Sequence, residues 1–495
     1  MAIKTQAETF RTYGKVCALT AQTAVECRFG GEAERILSAH ASVALTGAEA
    51  GNGEVRYFGK VCVTLVYEDG EKRVCSGEKG VEFTARAVDE RLFPALTPVV
   101  TLAVETVSTR REGTSIYVTA LIGADIALYG ERAITFLSGG EFIGKHEPVS
   151  VFTSHLCSGT AEAEDEFETE DLGDVLLHSE RAIVTDVDCR GGVLTVDGEI
   201  SLNVLALKGE GGLTSFERLV PFRAELVCDG AEAGRLADVN LSVTDVKLQV
   251  LADEEKEKSR LTATISLSLS ACVTEEVVID GIVDAFSPQC RTRLSYEEWQ
   301  GVGAGEYRRI VERVSGKAIL SESVDFSDTF RAVTLSRAEA NVVKEGEGCL
   351  LEGIATATLF TLSSDGSHKS VEMSLPFSLP IEDCGNNRRV DVLACGISAR
   401  QRKEGEVDGE VTLKITVKEE KSLAIRLLNG IEEGEAIVQR DSAVSVYVPR
   451  AGDGLWELSK SLQKSPDEVL ASNPDLQFPI QEGQRVVVYR KKSLQ

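Results

Sequence analysis

The chain has 495 residues, 43% of them hydrophobic, and a formal net charge of -26. That is too long for one ordinary hydrophobic core, so several domains of roughly 100 to 150 residues are expected. So acidic a balance, with no Lys/Arg cluster rising above it, argues against nucleic acid and anionic membrane as partners, and no run of about 18 apolar residues predicts a transmembrane segment.

Residues 1–30 mix polar and apolar residues without an apolar core and small-residue cleavage site, so they read as an N-terminal segment with no apparent secretory signal, and a cytoplasmic protein is expected. Three stretches farther on share a pattern. Gly59, Gly198 and Gly353 are each followed at offsets 2, 4 and 6 by apolar residues: Val61, Val63 and Leu65; Ile200, Leu202 and Val204; Ala355, Ala357 and Leu359. A period of two predicts a strand with one buried face. Each glycine is followed 24 residues on by a Phe, at Phe83, Phe222 and Phe377, the last two preceded by Pro221 and Pro376. Proline there suits a strand start or an edge, and the glycines read as bulge or close-approach positions.

Each unit continues into a second strand-rich half. Ile116 to Ala120 serves in the first; Leu261, Ala263, Ile265, Leu267, Leu269 and Ala271 alternate with Thr and Ser in the second; Val411, Leu413, Ile415 and Val417 alternate with Thr and Lys in the third. These read as antiparallel strands with one wet face, and the turns at Arg111-Glu112-Gly113 and Glu404-Gly405-Glu406 as hairpins. The repeat glycines lie 139 and 155 residues apart, a domain-sized period. The division expected is a first repeat over 31–150, an acidic linker over 151–172, a second repeat over 173–292, a linker over 293–316 and a third repeat over 317–438. The run Ala161 to Asp171 concentrates the negative charge and reads as a solvated linker, or as a docking strip for a basic partner.

Chemistry leaves few marks. The twelve cysteines stand singly, without a Cys-x-x-Cys pair or zinc-site spacing, and read as core or half-buried thiols, with late oxidative cross-linking as the other reading. Gly139 to His146 matches the Gly-x4-Gly-Lys core of a phosphate loop, but His146 replaces the magnesium-binding hydroxyl and Pro148 follows, so a hairpin loop is expected. Gly301 to Gly305 reads as part of a linker. The histidines, His40, His146, His155, His178 and His368, are scattered; His146 and His155 are the one pair placed to meet across a hairpin. No catalytic constellation, metal site or cofactor is assigned, and a non-enzyme is expected over a hydrolase.

Residues 444–490 carry the most legible pattern: a short strand to Tyr447, a Gly452-Asp453 turn, a helix with Leu455, Leu458 and Leu462 on its inner face, a second helix opened by Ser465-Pro466-Asp467-Glu468, an Asn473-Pro474 turn and a closing strand after Gly483-Gln484. Val469 and Leu470 are expected to pack on the first helix and Trp456 to lie in the core. This order resembles a LysM domain, a βααβ module that binds N-acetylglucosamine-containing glycans. The resemblance implies a groove walled by Gly452, Asp453, Gly454 and Leu455 on one side and by Asn473, Pro474, Asp475, Leu476, Phe478, Pro479 and Ile480 on the other. Gly454 departs from the Thr or Ser common at its position, and Phe478 and Ile480 make the second wall apolar enough for a protein partner.

Together with the repeats and the sequence Asp284-Ala285-Phe286-Ser287-Pro288, the module makes the chain similar to the SPOCS-repeat spore-coat morphogenetic proteins of spore-forming Firmicutes. That resemblance implies a mainly β architecture, with tandem antiparallel sandwich-like domains followed by the small βααβ domain. It also implies a scaffold at the mother-cell face of the forespore, contacting a SpoIVA-like coat ATPase and other coat proteins. The alternative it leaves is a peptidoglycan-binding protein of cortex or wall.

Overall fold

A computed structural model describes residues 3–489 except 32, 171, 209–211, 254–257, 326, 346–347, 382–387, 403–405 and 438–443. The described chain is mainly β, with antiparallel sheets and two short helices. Six long strands make the first unit: β1 (Thr5–Gly30), β2 (Ala33–Ala50), β3 (Glu54–Asp69), β4 (Val74–Val88), β5 (Thr97–Glu112) and β6 (Ser115–Gly140). The middle three form a meander of order β2-β3-β4; the last strand returns between the first and the fifth, in the order β1-β6-β5. Inward residues of both sheets, among them Val61, Val63 and Leu65 from β3 and Val118, Ala120 and Ile122 from β6, share one core.

The same plan recurs twice. The second unit pairs β8-β9-β10 (Val175–Arg190, Val193–Lys208, Gly212–Val227) with β7-β12-β11 (Ile143–Glu170, Lys258–Phe286, Leu236–Asp253). The third pairs β15-β16-β17 (Thr329–Glu345, Gly348–Leu362, His368–Ile381) with β13-β19-β18 (Cys290–Lys317, Val407–Ala436, Arg388–Gln401), and a two-residue strand β14 (Ile319–Leu320) joins the edge of β17. The alternating residues behave as their period requires: Leu261, Ala263 and Ile265 of β12, and Val411, Leu413 and Ile415 of β19, are all almost fully buried. The other face of β19 is not uniformly wet, since Thr416 and Lys418 are buried where another unit covers them.

The sandwich also explains the recurring spacing. Gly59 pairs with Phe83, Gly198 with Phe222 and Gly353 with Phe377, directly across neighbouring strands. A Cβ on these glycines would lie 2.6, 2.2 and 2.3 Å from the facing ring. Each glycine therefore gives up its side chain so that a phenylalanine can lie across the sheet. Opposite Gly59 and Gly198 the neighbouring strand bulges, at Leu45/Gly47 and Val184/Asp186. Pro221 and Pro376 sit in β10 and β17, at or next to a sheet edge, where a missing N–H costs little.

The domain boundaries expected from composition need correction by one strand per unit. Residues 1–30, 151–172 and 293–316, expected as a leading segment and two linkers, supply β1, most of β7 and most of β13, the opening strand of each unit. The acidic run is a strand because alternate positions meet the core: Ala163 is buried against Ile265 of the paired β12, while Glu162, Glu164 and Glu166 line the other face. Charge density on that outer face hid the period of two. Gly301 to Gly305 also lie in β13, not in a linker. A Cβ on Gly303 would sit 2.5 Å from Thr274 of β12, so a small residue there lets the third unit pass close to the second, and one on Gly305 would sit 2.5 Å from the Glu419 carbonyl of its own unit's β19.

The first and last strands of each unit run on past the sandwich as a two-stranded ribbon, β1 with β6, β7 with β12, and β13 with β19. The ribbons share two cores: Ile134 and Phe136, Val151 and Phe152, Trp299 and Leu427 in one; Leu137, Ile282, Ala285, Leu428 and Ile431 in the other. At the far side the meander sheets also meet, with Leu37, Val66, Leu176, Leu205 and Phe360 in one cluster. Glu68 and His368, nearly fully buried, tie the first unit to the third: Glu68 Oε2 accepts from the His368 backbone N–H and lies 3.0 Å from its Nδ1. The hairpin turn at Gly113 is as expected, with φ 60 at the glycine. Glu404 and Gly405 lie outside the described residues, although the strands beside them pair as a hairpin would.

Candidate functional site

The C-terminal module is built from β20 (Val444–Tyr447), α1 (Leu455–Leu462), α2 (Pro466–Ser472) and β21 (Val486–Tyr489), the two strands pairing antiparallel. Leu458, Val469, Ile480, Val486 and Val488 form its core, with Leu455 and Leu462 half-buried beside them. Ser465 caps α2, its Oγ accepting from the Glu468 N–H at 3.2 Å, and Pro466 takes the first helical position. Gly454 has no hydroxyl with which to cap α1, and Glu457 Oε2 accepts from the Gly454 N–H at 3.1 Å instead. Leu470, expected on the first helix, points outward, 38% exposed.

The two expected groove walls do meet. The Gly452 N–H donates to the Ile480 carbonyl at 2.8 Å and the Ile480 N–H to the Asp453 carbonyl at 2.9 Å, locking the turn after β20 to the loop before β21. Asp453 is held in its turn, with Oδ2 accepting from the Arg450 N–H at 3.1 Å. Ile480 is core, and Leu455, Leu476 and Phe478 pack against it. Asn473 is engaged inside the module: its Nδ2 donates to the Val469 and Val487 carbonyls at 3.0 and 2.9 Å, and its Oδ1 accepts from the Val487 N–H at 2.7 Å. The rim left exposed is Gly452 on one side and Pro474, Asp475 and Pro479 on the other.

Trp456 requires a correction. It lies outside the module's core and turns toward the second β unit: its Nε1 donates to Asp284 Oδ2 at 2.8 Å, and its ring lies 5.4 Å from that of Phe286, tilted by 60°. One turn on, Lys460 Nζ reaches both oxygens of Asp284 at 2.7 Å. Trp456 and Lys460 share a helix face, and the inward stripe was already filled by Leu455, Leu458 and Leu462. Burial raises the pKa of Asp284, but Lys460 and Trp456 outweigh it, and the carboxyl stays below its ordinary value. Sequence reasoning singled out Asp284 to Pro288 without giving it a partner; Asp284 turns out to be the residue on which the module docks.

Lys145 and His146 of the phosphate-loop-like run lie in β7, and the bend before them crosses from one sheet to another; it is not a hairpin. His146 and His155 stand on the same strand and do not meet; His146 bonds Asp280 and His155 bonds Glu275. Cysteines 17, 27, 62, 75, 157, 189, 228, 272, 290 and 395 are free thiols, buried or half-buried. Cys62 is pushed up to about 12 by burial and by Glu78 beside it. Cys349, expected as a thiol, is disulfide-bonded. Comparison with protein families, curated proteins and solved structures yields no match to this chain.

Proposed function

We propose that the chain is a non-enzymatic scaffold for spore-coat assembly, of the SPOCS-repeat and LysM kind, acting at the forespore surface from the mother-cell cytoplasm. The LysM-like module grips a SpoIVA-like coat ATPase, and the β units recruit or space other coat components. The observation that carries the reading is the state of the groove. The Asn473 carboxamide, the one amide side chain of the two walls, is engaged in three internal bonds. The exposed rim of Pro474, Asp475 and Pro479 beside the half-buried Phe478 offers apolar surface with a single charge, which suits a protein surface. The module's opposite obligation, docking through Trp456 and Lys460, leaves this rim open.

The test is capture of the full chain by purified coat ATPase and, in parallel, by insoluble peptidoglycan, for the native protein and for the rim double variant Asp475→Lys/Pro479→Ser. ATPase capture that weakens at least tenfold in the variant supports the scaffold. Rim-dependent capture by peptidoglycan alone overturns it in favour of a glycan-binding protein of cortex or wall.

A further inference from the structure

A chamber of about 580 Å³ lies where the three meander sheets approach one another. Its walls follow the internal repeat. The strand neighbour of the third residue beyond the repeat glycine is Ser42 in the first unit, Arg181 in the second and Arg337 in the third. For the fifth residue it is His40, Ser179 and Thr334. Apart from Ser42 all of these line the chamber, and Thr356, Thr358 and Ser370 add hydroxyls. The repeat thus delivers two guanidiniums, an imidazole and a ring of hydroxyls to one interior space of a strongly acidic protein.

The two arginines are not equally satisfied. Arg337 donates to the Glu105 carbonyl at 2.6 Å and lies 3.4 Å from Glu339. Arg181 has neither a hydrogen bond nor an ion pair among the described residues; Glu339 and Glu180 influence it only at longer range. Glu180 is engaged by His178 at 3.1 Å, and Glu105 accepts from Gln22 at 2.7 Å. Glu372 also lines the chamber, from β17. Arg181 is exposed on the open chamber, and the surrounding protein together with the like charge of Arg337 lowers its pKa. A guanidinium with no bonded counter-ion keeps its planar fork free, and that fork matches the oxygens of a carboxylate or phosphate. His40 is pushed down to about 4 by burial, so at neutral pH it offers a neutral donor or acceptor and no competing charge.

We infer that this chamber is a binding site for a small oxyanion, held by the Arg181 fork with Arg337 and the surrounding Ser and Thr hydroxyls. An anion there would join the three units through one ligand and stabilise their association. The inference stands independently of what the C-terminal module binds.

The experiment is calorimetric titration of the full chain with inorganic phosphate and, as a second arm, with succinate, both at constant ionic strength set by chloride, alongside thermal unfolding. The expected result is saturable binding at one site per chain by one of the two anions, with a rise in Tm. Arg181→Met should weaken that binding at least tenfold while leaving the Tm without anion close to the native value, because the exposed side chain makes no hydrogen bond or ion pair among the described residues. Arg56→Met, on the outer surface, should bind as the native chain does. Should Arg181→Met fail to fold, Arg181→Lys keeps the charge but loses the fork and should bind several-fold more weakly. No saturable binding of either anion to the native chain, or undiminished binding in the Arg181 variants, overturns the inference.

Discussion

In the β body, Phe360 of the third unit is fully buried in a cluster with Leu37 and Val66 of the first and Leu205 of the second, whereas Leu458, Val469, Ile480, Val486 and Val488 of the module form a cluster with other residues of the module alone. The first kind of core exists only when all three units are in place; the second closes within fewer than fifty residues. The body and the module meet through Asp284, Phe286, Trp456 and Lys460. A unit cut from the body would expose its ribbon and meander faces, while the module can change its docking without losing its fold. The body is thus suited to a fixed frame and the module to contact with a partner.

The strongest way to break this comparison is at the repeat glycines. A Cβ on Gly353 would lie 2.3 Å from the Glu339 carbonyl and one on Gly198 2.6 Å from the Ile183 carbonyl, backbone atoms that cannot turn aside. At Gly59 the nearest backbone atom, the Ala44 carbonyl, is 3.0 Å away, and the Phe83 ring can move. Gly353→Ala and Gly198→Ala should each cost about 3 kcal/mol or more, and Gly59→Ala about 1 to 2 kcal/mol. Urea unfolding of the full chain measures this; three equal losses, or none, would contradict the packing given for the Gly–Phe pairs.

His40 gives a subtler handle on the interior. Its folded pKa of about 4 lies below the ordinary 6.5, so between these values the unfolded chain takes up a proton that the folded chain refuses. The stability involved is complete above pH 6.5 and is lost as pH falls toward 4, by at most about 3 kcal/mol. Other carboxylates titrate in the same range, so the readout is a difference: His40→Gln should lose less stability than the native chain between pH 7 and pH 4.5. Parallel losses would mean that His40 is hydrated and titrates normally.

The smallest effect on stability is expected at the module's docking point. Asp284→Ala should shift the main unfolding transition by no more than about 1 kcal/mol, since a partly exposed ion pair contributes little. It should nevertheless move the emission of Trp456 toward the red in a Trp299→Phe background, where Trp456 is the single tryptophan. Because Asp284 is held below its ordinary pKa, docking should persist above that ordinary value and be lost as pH falls through the lower one, and Asp284→Ala should abolish this acid transition. Unchanged emission in the variant would mean that the module is held elsewhere.

Much of the β body was legible because its signals are local. The period of two at Val61, Ile200 and Ala355 located the central meander strand of each unit, and the recurring glycine and phenylalanine marked the repeat, but only the sheets showed that the two face each other across neighbouring strands. The opening strands were not legible. The inner face of β7 is written in small residues such as Ala161 and Ala163 beneath a run of glutamates, and that of β13 is interrupted by glycines, so both read as linkers. In the module, Leu455, Leu458, Leu462 and Ser465 gave the helices, but Trp456 was misplaced because an aromatic flanked by leucines has the same local appearance whether it faces a core or a neighbouring domain.

The sequence by itself determined the strand-rich class, the threefold repeat, the helix starts of the module and the side of each central strand that is buried, since periodicity, capping and turn chemistry act over a few residues. Only the tertiary structure decided that the first and last strands of each unit pair across 85 to 146 residues of chain and that the three ribbons share cores. It alone put Arg181, Arg337 and His40 around one chamber and docked Trp456 on Asp284. These contacts depend on how sheets stack and on which loops close, and the interactions that set them join residues with no common local pattern.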